Sequence, residues 1–456
     1  MKFKINNLGY IDKSTIELGD LTVICGFNNT GKTYLSYALW GFFKTWVKYC
    51  EFKFLDEYFK EYIDKGIINI DLAKHEKEIY SALNIIANAY GKNMQSVFNI
   101  SEDFFKATKF EVTDNKFKIS YEKLFENKIS YNNEYELLIS KKENSSIIEL
   151  SILSETTEPL VLPRSIFINL FSTFISSNYF KFLLPRPFII TSERTGISLF
   201  LKELDFNKND IINKILKKQN LKEHDMLEFL FNRVSRYAEP IKSNVDDIRD
   251  LSQLSKNKSF LIKESENNSY KEILKLWNEI IQGSYKVTEN EIFFVPKKER
   301  NREKIVLPIY ASSSAVKSLL LLDVYIKNIA QIGDILFIDE PELNLHPENQ
   351  RKLADLFARL TNIGIKIFIT THSDYLMKEL NNLVMLSTVP ENEALLKKYK
   401  YDTLSPIKKQ KIKAYVAQDH QLSPIEVTDD GLETDIFDTT ALLMNQAGDD
   451  IYYSNK

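Results

Sequence analysis

LTVICGFNNTGKTYLSYALW, residues 21–40, falls into three pieces. Leu21–Cys25 is a short apolar run with β-branched residues, the pattern of a buried strand. Gly26–Thr33 fits G-x-x-x-x-G-K-[ST] in full, and the apolar stretch after it reads as a helix. Strand, glycine-rich loop and helix in that order make a phosphate cradle. Gly26 and Gly31 let the backbone turn successive amides toward an anion, and the start of the helix adds partial positive charge. Lys32 reaches the β- and γ-phosphates of ATP, while the Thr33 hydroxyl is placed to ligate Mg2+. Asn28, Asn29 and Thr30 fill the variable positions of the nucleotide-binding loop and shape it.

The other half of a site lies far along the chain. Ile335–Ile338 is again a buried-strand run, and it ends in Asp339 and Glu340. Acids at the carboxyl end of a parallel strand stand where open α/β sheets gather ligands. Asp339 is therefore the expected metal partner, and Glu340 the group expected to orient or deprotonate an attacking water. Adjacent side chains on a regular strand point to opposite faces, so Glu340 must stand where the strand ends and the chain turns. Pro341 fits that termination. Leu353, Leu356, Phe357 and Leu360 recur at helical spacing, with Gly364 beyond the helix end. KIFIT (366–370) then supplies a strand that delivers Thr371, His372 and Ser373. Strand, helix and parallel strand form the unit of a doubly wound sheet. His372 has two readings, a packing histidine and a contact to the γ-phosphate.

Composition bounds what surrounds this core. A chain of 456 residues with a hydrophobic fraction of 44% and a charged fraction of 27% can bury a sizeable core. Its formal net charge of -3 supplies no global pull toward nucleic acid or an anionic membrane. Two cysteines, Cys25 and Cys50, make neither a disulfide framework nor a metal-ligand cluster. The N-terminus lacks a secretory pattern, and no apolar run reaches the roughly eighteen residues of a membrane span. The expectation is a cytoplasmic protein with no membrane partner.

These segments resemble the ATP-binding-cassette ATPases of the RecF, SMC and OLD superfamily, especially the bacterial single-chain group often labelled AAA-family despite its cassette architecture. The resemblance rests on NNLGYIDKSTIELGDLTVICGFNNTGKT, FIDEPELNLHPENQ and FITTHSDYLMKELNNLVML. It implies an ATPase with Lys32, Glu340 and His372 as catalytic residues, Thr33 and Asp339 as metal ligands, and ATP and Mg2+ as cofactors. It also implies a homo-oligomer of head-to-tail ATPase dimers, with Leu345, His346 and Pro347 near the dimer interface. ASSSAVKSLLLLDVYI (311–326) resembles the signature motif, whose helix end contacts the γ-phosphate held by another subunit, through Ser312, Ser313 or Ser314. Ser314 and Ala315 stand where the family commonly has glycine. Read from the residues alone, the serines are an ordinary helix N-cap. PFIITSERTG (187–196) resembles the segment returning to the core after a first insertion. Arg194 there reads as a phosphate contact, as a hold on the second lobe, or as a structural ion pair.

The expected fold is α/β, a P-loop ABC-type ATPase head with accessory antiparallel strands and a helical insertion. Residues 1–50 form the N-terminal core, 51–186 accessory helices and strands, and 187–196 the return to the core. Residues 197–283 form a helical insertion, 284–388 hold the signature helix, acid-bearing strand and histidine, and 389–456 extend the core. The helical segments of 197–282 are too short for a sustained heptad array. The KKERNREK turn (297–304) reads as a solvated hairpin or a phosphate-backbone contact. Lys408, Lys409, Lys411 and Lys413 read as a solvated face or a nucleic-acid patch. Asp429 and Asp430 precede Gly431 in a turn. For biological role, the resemblance points to an anti-phage defence ATPase that senses infection and controls a separate nuclease or toxin effector. The alternative is a RecF-like repair or recombination ATPase that binds nucleic acid directly.

Overall fold

The computed structural model describes residues 1–65, 68–113, 121–122, 124–131, 135–154, 162–176, 184–200, 237–289, 291–297, 305–433 and 436–454. Two compact units emerge: one comprises Met1–Ile5, Phe42–Asn93 and Thr108–Arg186, the other Asn6–Gly41, Met94–Ala107 and Pro187–Lys456. One boundary thus falls inside the helix that follows the glycine-rich loop. Residues 94–107, expected among the accessory elements, join the larger unit.

The larger unit is built on a sheet whose strands run in the order Ile11–Glu17, Gln421–Ile425, Ile412–Gln418, Leu21–Gly26, Lys366–Thr371, Ile335–Asp339 and Pro187–Ile190. From Ile412–Gln418 to Pro187–Ile190 every neighbouring pair is parallel. Leu21–Gly26 and Ile335–Asp339 are buried at every position, as expected for strands covered on both faces. The register sets Asp339 beside Thr370, and Thr371 beside Cys25. The carboxyl ends of these strands therefore stand level, which positions the site.

Between the acid-bearing strand and its parallel neighbour lies the helix Pro347–Asn362. His346 caps it, its Nδ1 accepting from the Glu348 amide at 3.3 Å, and Pro347 at the first turn needs no donor. Leu353, Leu356, Phe357 and Leu360 are all fully buried on its inner face. Asp355 and Arg359 pair on the same helix through two hydrogen bonds of 3.0 and 2.6 Å, and both side chains are buried.

Residues 237–283, within the stretch expected as a helical insertion, pack into the core of the larger unit. Val245, Ile248, Leu251, Leu261, Ile273, Leu276, Trp277 and Ile280 belong to the same apolar cluster as Leu353 and Leu356. The polar stretch KNKSFLIKESENNS (256–269), whose composition predicts a break between helices, holds a short one, Phe260–Lys263, because Ser259 caps it by accepting from the Ile262 amide. The segment LKEHDMLEFLFNRVSR (221–236) and residues 298–304 of the KKERNREK turn lie outside the described residues.

The smaller unit carries an antiparallel sheet in the order Ile68–Asp71, Ile147–Ser154, Tyr135–Lys141, Phe125–Tyr131. Tyr135–Lys141 and Ile147–Ser154 match the alternation of residues 132–152, which predicts antiparallel strands, whereas Ile68–Asp71 is a strand inside a stretch, 51–100, whose pattern suggests helices. Its core is aromatic: Phe3 meets Phe42 edge-on at 5.5 Å, and Tyr62 stacks on Phe167 at 5.3 Å. No helix among the described residues is long and apolar enough to cross a membrane.

Candidate active site

Gly26 ends its strand with φ 138° and Gly31 has φ 89°, so the loop needs glycine at both places. A Cβ at Gly26 would also lie 2.4 Å from the Ala417 carbonyl oxygen. Lys32, the first residue of the helix Lys32–Thr45, is 5% exposed. Its Nζ donates to the Gly26 and Phe27 carbonyls at 3.2 and 2.6 Å and to Thr30 Oγ1 at 3.2 Å. Burial lowers its pKa, against the opposing pull of Glu340 and Asp339. Asn28 and Asn29 stand exposed at the loop tip, Asn29 with φ 62°.

Thr33 crosses to the second half of the site, its hydroxyl donating to Asp339 Oδ2 at 3.0 Å. Asp339 Oδ1 accepts from the Thr370 hydroxyl on the neighbouring strand. Burial pushes the Asp339 carboxyl up to about 6; the two threonine hydroxyls oppose this, while the charges of Glu340 and Glu193 add to it. A buried carboxylate crowded by other acids, with a hydroxyl beside it, is a donor set that a hard divalent cation suits. Thr33 and Asp339 are the residues that would hold magnesium. Magnesium would supply charge neutralisation on the phosphate oxygens.

The strand ends at Asp339, and Glu340 takes φ 50°, a left-handed conformation uncommon for a residue with a Cβ. This is the turn that the sequence requires for two adjacent acids to serve one site. Glu340 Oε1 lies 3.7 Å from His372 Nε2. Burial and the nearby Lys32 charge lower the His372 pKa, partly offset by its hydrogen bond to the Gly26 backbone. At neutral pH the imidazole is thus uncharged and acts as a hydrogen-bonding group rather than as the cation of an ion pair.

Arg194 is 2% exposed and meets backbone oxygens. Nε donates to the Ser318 carbonyl at 3.0 Å, Nη1 to Thr191 at 3.0 Å and Asp339 at 2.8 Å, and Nη2 to Glu340 at 2.7 Å. Four donors are thereby spent on holding the Asp339–Glu340 turn to the Ser314–Val324 helix. Neither a phosphate contact nor a carboxylate pair describes this side chain; it is a clamp on carbonyls.

The serine segment splits. Ser312 is buried, donating to the Pro308 carbonyl at 3.1 Å, and Ser313 caps the helix by accepting from the Val316 amide at 3.3 Å. Ser313 and Ser314 stand exposed at the helix start. The structure gathers Lys32, Thr33, Asp339, Glu340 and His372 into one cluster and connects the serine helix to it through Arg194.

Two contributors escaped the sequence reading. Thr370 supplies a hydroxyl to Asp339, and Glu342 accepts from Thr371 and from the His372 amide. Register across neighbouring strands would have indicated Thr370; Glu342 has no local signal beyond its closeness to Glu340. Three lysines of the basic run after residue 407 meet partners within the larger unit, and Lys408 stands exposed: Lys409 pairs with Asp429, Lys411 donates to Asn362, and Lys413 pairs with Glu17. Asp429 and Asp430 form the turn of the short hairpin Val427–Thr428 and Gly431–Leu432.

A glycine-rich phosphate loop, an acid-bearing strand and a histidine on the next parallel strand define an ATP-hydrolysing enzyme of the ATP-binding-cassette type. The chain belongs to the AAA ATPase domain family, whose model matches residues 1–377. Among solved structures it is similar to the Smc head domain with an extended coiled coil bound to the C-terminal domain of ScpA from Pyrococcus furiosus. That match has 13% identity and a TM-score of 0.32, covering 98% of each chain. It is also similar to the SMC head domain from Thermotoga maritima, at 11% identity and a TM-score of 0.30, covering 94% of this chain and 98% of that one. A search of curated proteins finds no match.

Proposed function

We propose that the chain is an ATP-gated engagement ATPase whose two halves of each site come from two copies. The observation that carries this reading is the 3.7 Å approach of Glu340 and His372 at the ends of adjacent parallel strands, beside the Lys32 loop. In a bound nucleotide, Lys32 and the loop amides hold the β- and γ-phosphates. Glu340 orients a water in line with the γ-phosphorus and accepts its proton, and the neutral His372 hydrogen-bonds a γ-phosphate oxygen. The exposed Ser313 and Ser314 face outward, so their helix end is free to meet the γ-phosphate held by another copy in head-to-tail pairing. Glu340→Gln tests the reading by keeping the shape and removing the base. It is expected to bind ATP, to lose turnover about a hundredfold or more, and to accumulate as an ATP-dependent dimer by light scattering. Full hydrolysis by that variant would remove the role given to Glu340, and a monomer at saturating ATP would remove the composite site.

For what the cycle drives, the RecF-like role acting directly on nucleic acid goes best with membership of the AAA ATPase domain family and the cassette fold. ATP turnover stimulated by duplex or single-stranded DNA is the expected result. Turnover indifferent to DNA, together with co-purification of a nuclease or toxin from the native host, would favour the defence scaffold instead.

A further inference from the structure

Glu342 follows Glu340 by two residues in the same turn, and its side chain reaches the end of the neighbouring strand. Its Oε1 accepts from the Thr371 hydroxyl at 2.9 Å and from the His372 amide at 2.6 Å. Its Oε2 is shut from solvent and has no hydrogen-bond partner among the described residues. A buried carboxylate with one oxygen unpaired is costly to keep, and such groups persist where something other than stability requires them. The two donors bracket the peptide group joining Thr371 to His372. Beyond it, the Ser373 amide donates to Thr371 Oγ1 at 3.0 Å, and the Ser373 hydroxyl donates to Gln350 Oε1 at 2.6 Å. Gln350 in turn donates to the Leu345 carbonyl at 2.8 Å. The backbone on both sides of His372 is therefore braced, while its imidazole reaches the Gly26 backbone and stands 3.7 Å from Glu340.

We infer that Glu342 is a positioning residue for ATP hydrolysis: it fixes the His372 backbone so that the imidazole stands at the γ-phosphate beside Glu340. One turn then carries the water-activating carboxylate and the brace of the phosphate-sensing ring, and the separation between them is set by two residues of rigid chain. The inference rests on His372 contacting the γ-phosphate. It adds that Glu342 acts through His372 and touches neither nucleotide nor water.

The test is steady-state ATP turnover, with ATP affinity measured separately by a fluorescent nucleotide, for His372→Ala, Glu342→Ala, Glu342→Gln and the His372→Ala/Glu342→Ala double variant. Misplacement of a reacting group by about 1 Å costs on the order of a hundredfold, so Glu342→Ala should lower kcat about tenfold to a hundredfold with KM within about twofold. Glutamine keeps an acceptor oxygen for both donors and should restore kcat to within about threefold of the wild type. The double variant should turn over like His372→Ala alone, because the brace has nothing left to place. Wild-type kcat in Glu342→Ala, a parallel loss of ATP affinity, no rescue by glutamine, or multiplicative losses in the double variant would each overturn the inference. Wild-type turnover by His372→Ala would instead remove the reading beneath it, and the inference with it. Should Glu342→Ala fail to fold, Thr371→Val, which removes one of the two donors, is expected to give a partial kcat loss at unchanged KM. Wild-type kcat there would overturn the inference.

Discussion

Replacing Arg194 with methionine removes the clamp on the catalytic turn while keeping most of the buried volume. The guanidinium donates four hydrogen bonds to the carbonyls of Thr191, Ser318, Asp339 and Glu340. At ~1.5 kcal/mol for each bond from a charged donor, these are worth roughly 6 kcal/mol. Against this stands the cost of burying the charge, which lowers the guanidinium pKa from 12.5 to about 10. At ~1.4 kcal/mol per pKa unit, that is about 3 kcal/mol which methionine does not carry. The expected loss is therefore about 3 kcal/mol in the larger unit, measured as a lowered denaturation midpoint with the slope unchanged. Lysine should lose nearly as much, because one ammonium cannot span four carbonyls set for a planar fork. The local readout is amide exchange at Leu343, whose N–H bonds the Glu340 carbonyl at 3.2 Å. It should exchange faster in both variants, with turnover falling in step. A midpoint within about 0.5 kcal/mol of the wild type, or unchanged exchange at Leu343, would refute the clamp.

Because burial raises the Asp339 carboxyl to about 6, a proton competes with magnesium below that pH. Apparent Mg2+ affinity should fall about tenfold for each pH unit below 6 and level off above it, checked by magnesium titration of nucleotide binding. Arg359→Met leaves Asp355 buried without its partner, and should cost about 3–5 kcal/mol of stability while sparing ATP affinity. Ser313→Ala deletes a helix cap for about 1 kcal/mol. If the serine helix completes the neighbour's site, that variant should also need higher protein concentration to reach half-maximal turnover, with ATP binding by the single chain unchanged.

The phosphate loop was legible because its chemistry is local: eight consecutive residues, Gly26–Thr33, carry the glycines, the lysine and the hydroxyl. The turn at Glu340 was legible for a stricter reason, since a regular strand cannot present Asp339 and Glu340 to one site. Arg194 was found as a position, with a holding role as only one of three readings. Nothing in TSERTG says that four carbonyls from separate segments will surround its side chain. The helices of residues 237–283 show the same limit. Ile273, Leu276, Trp277 and Ile280 recur at helical spacing and declare a buried face, but not that the face packs into the ATPase core. The lysines from 408 to 413 read as a solvated face or a nucleic-acid patch because Asp429, Asn362 and Glu17, the partners of Lys409, Lys411 and Lys413, are distant in sequence.

The left-handed backbone at Glu340 bears on how this enzyme would respond to laboratory evolution. A side chain held at φ 50° costs about 1 kcal/mol that glycine or asparagine would not carry there. Selection for heat resistance alone should therefore enrich the substitutions Glu340→Gly and Glu340→Asn, which gain stability by giving up turnover. A library screened for thermal tolerance needs a simultaneous activity gate, or its winners will include variants at a residue proposed to carry the chemistry.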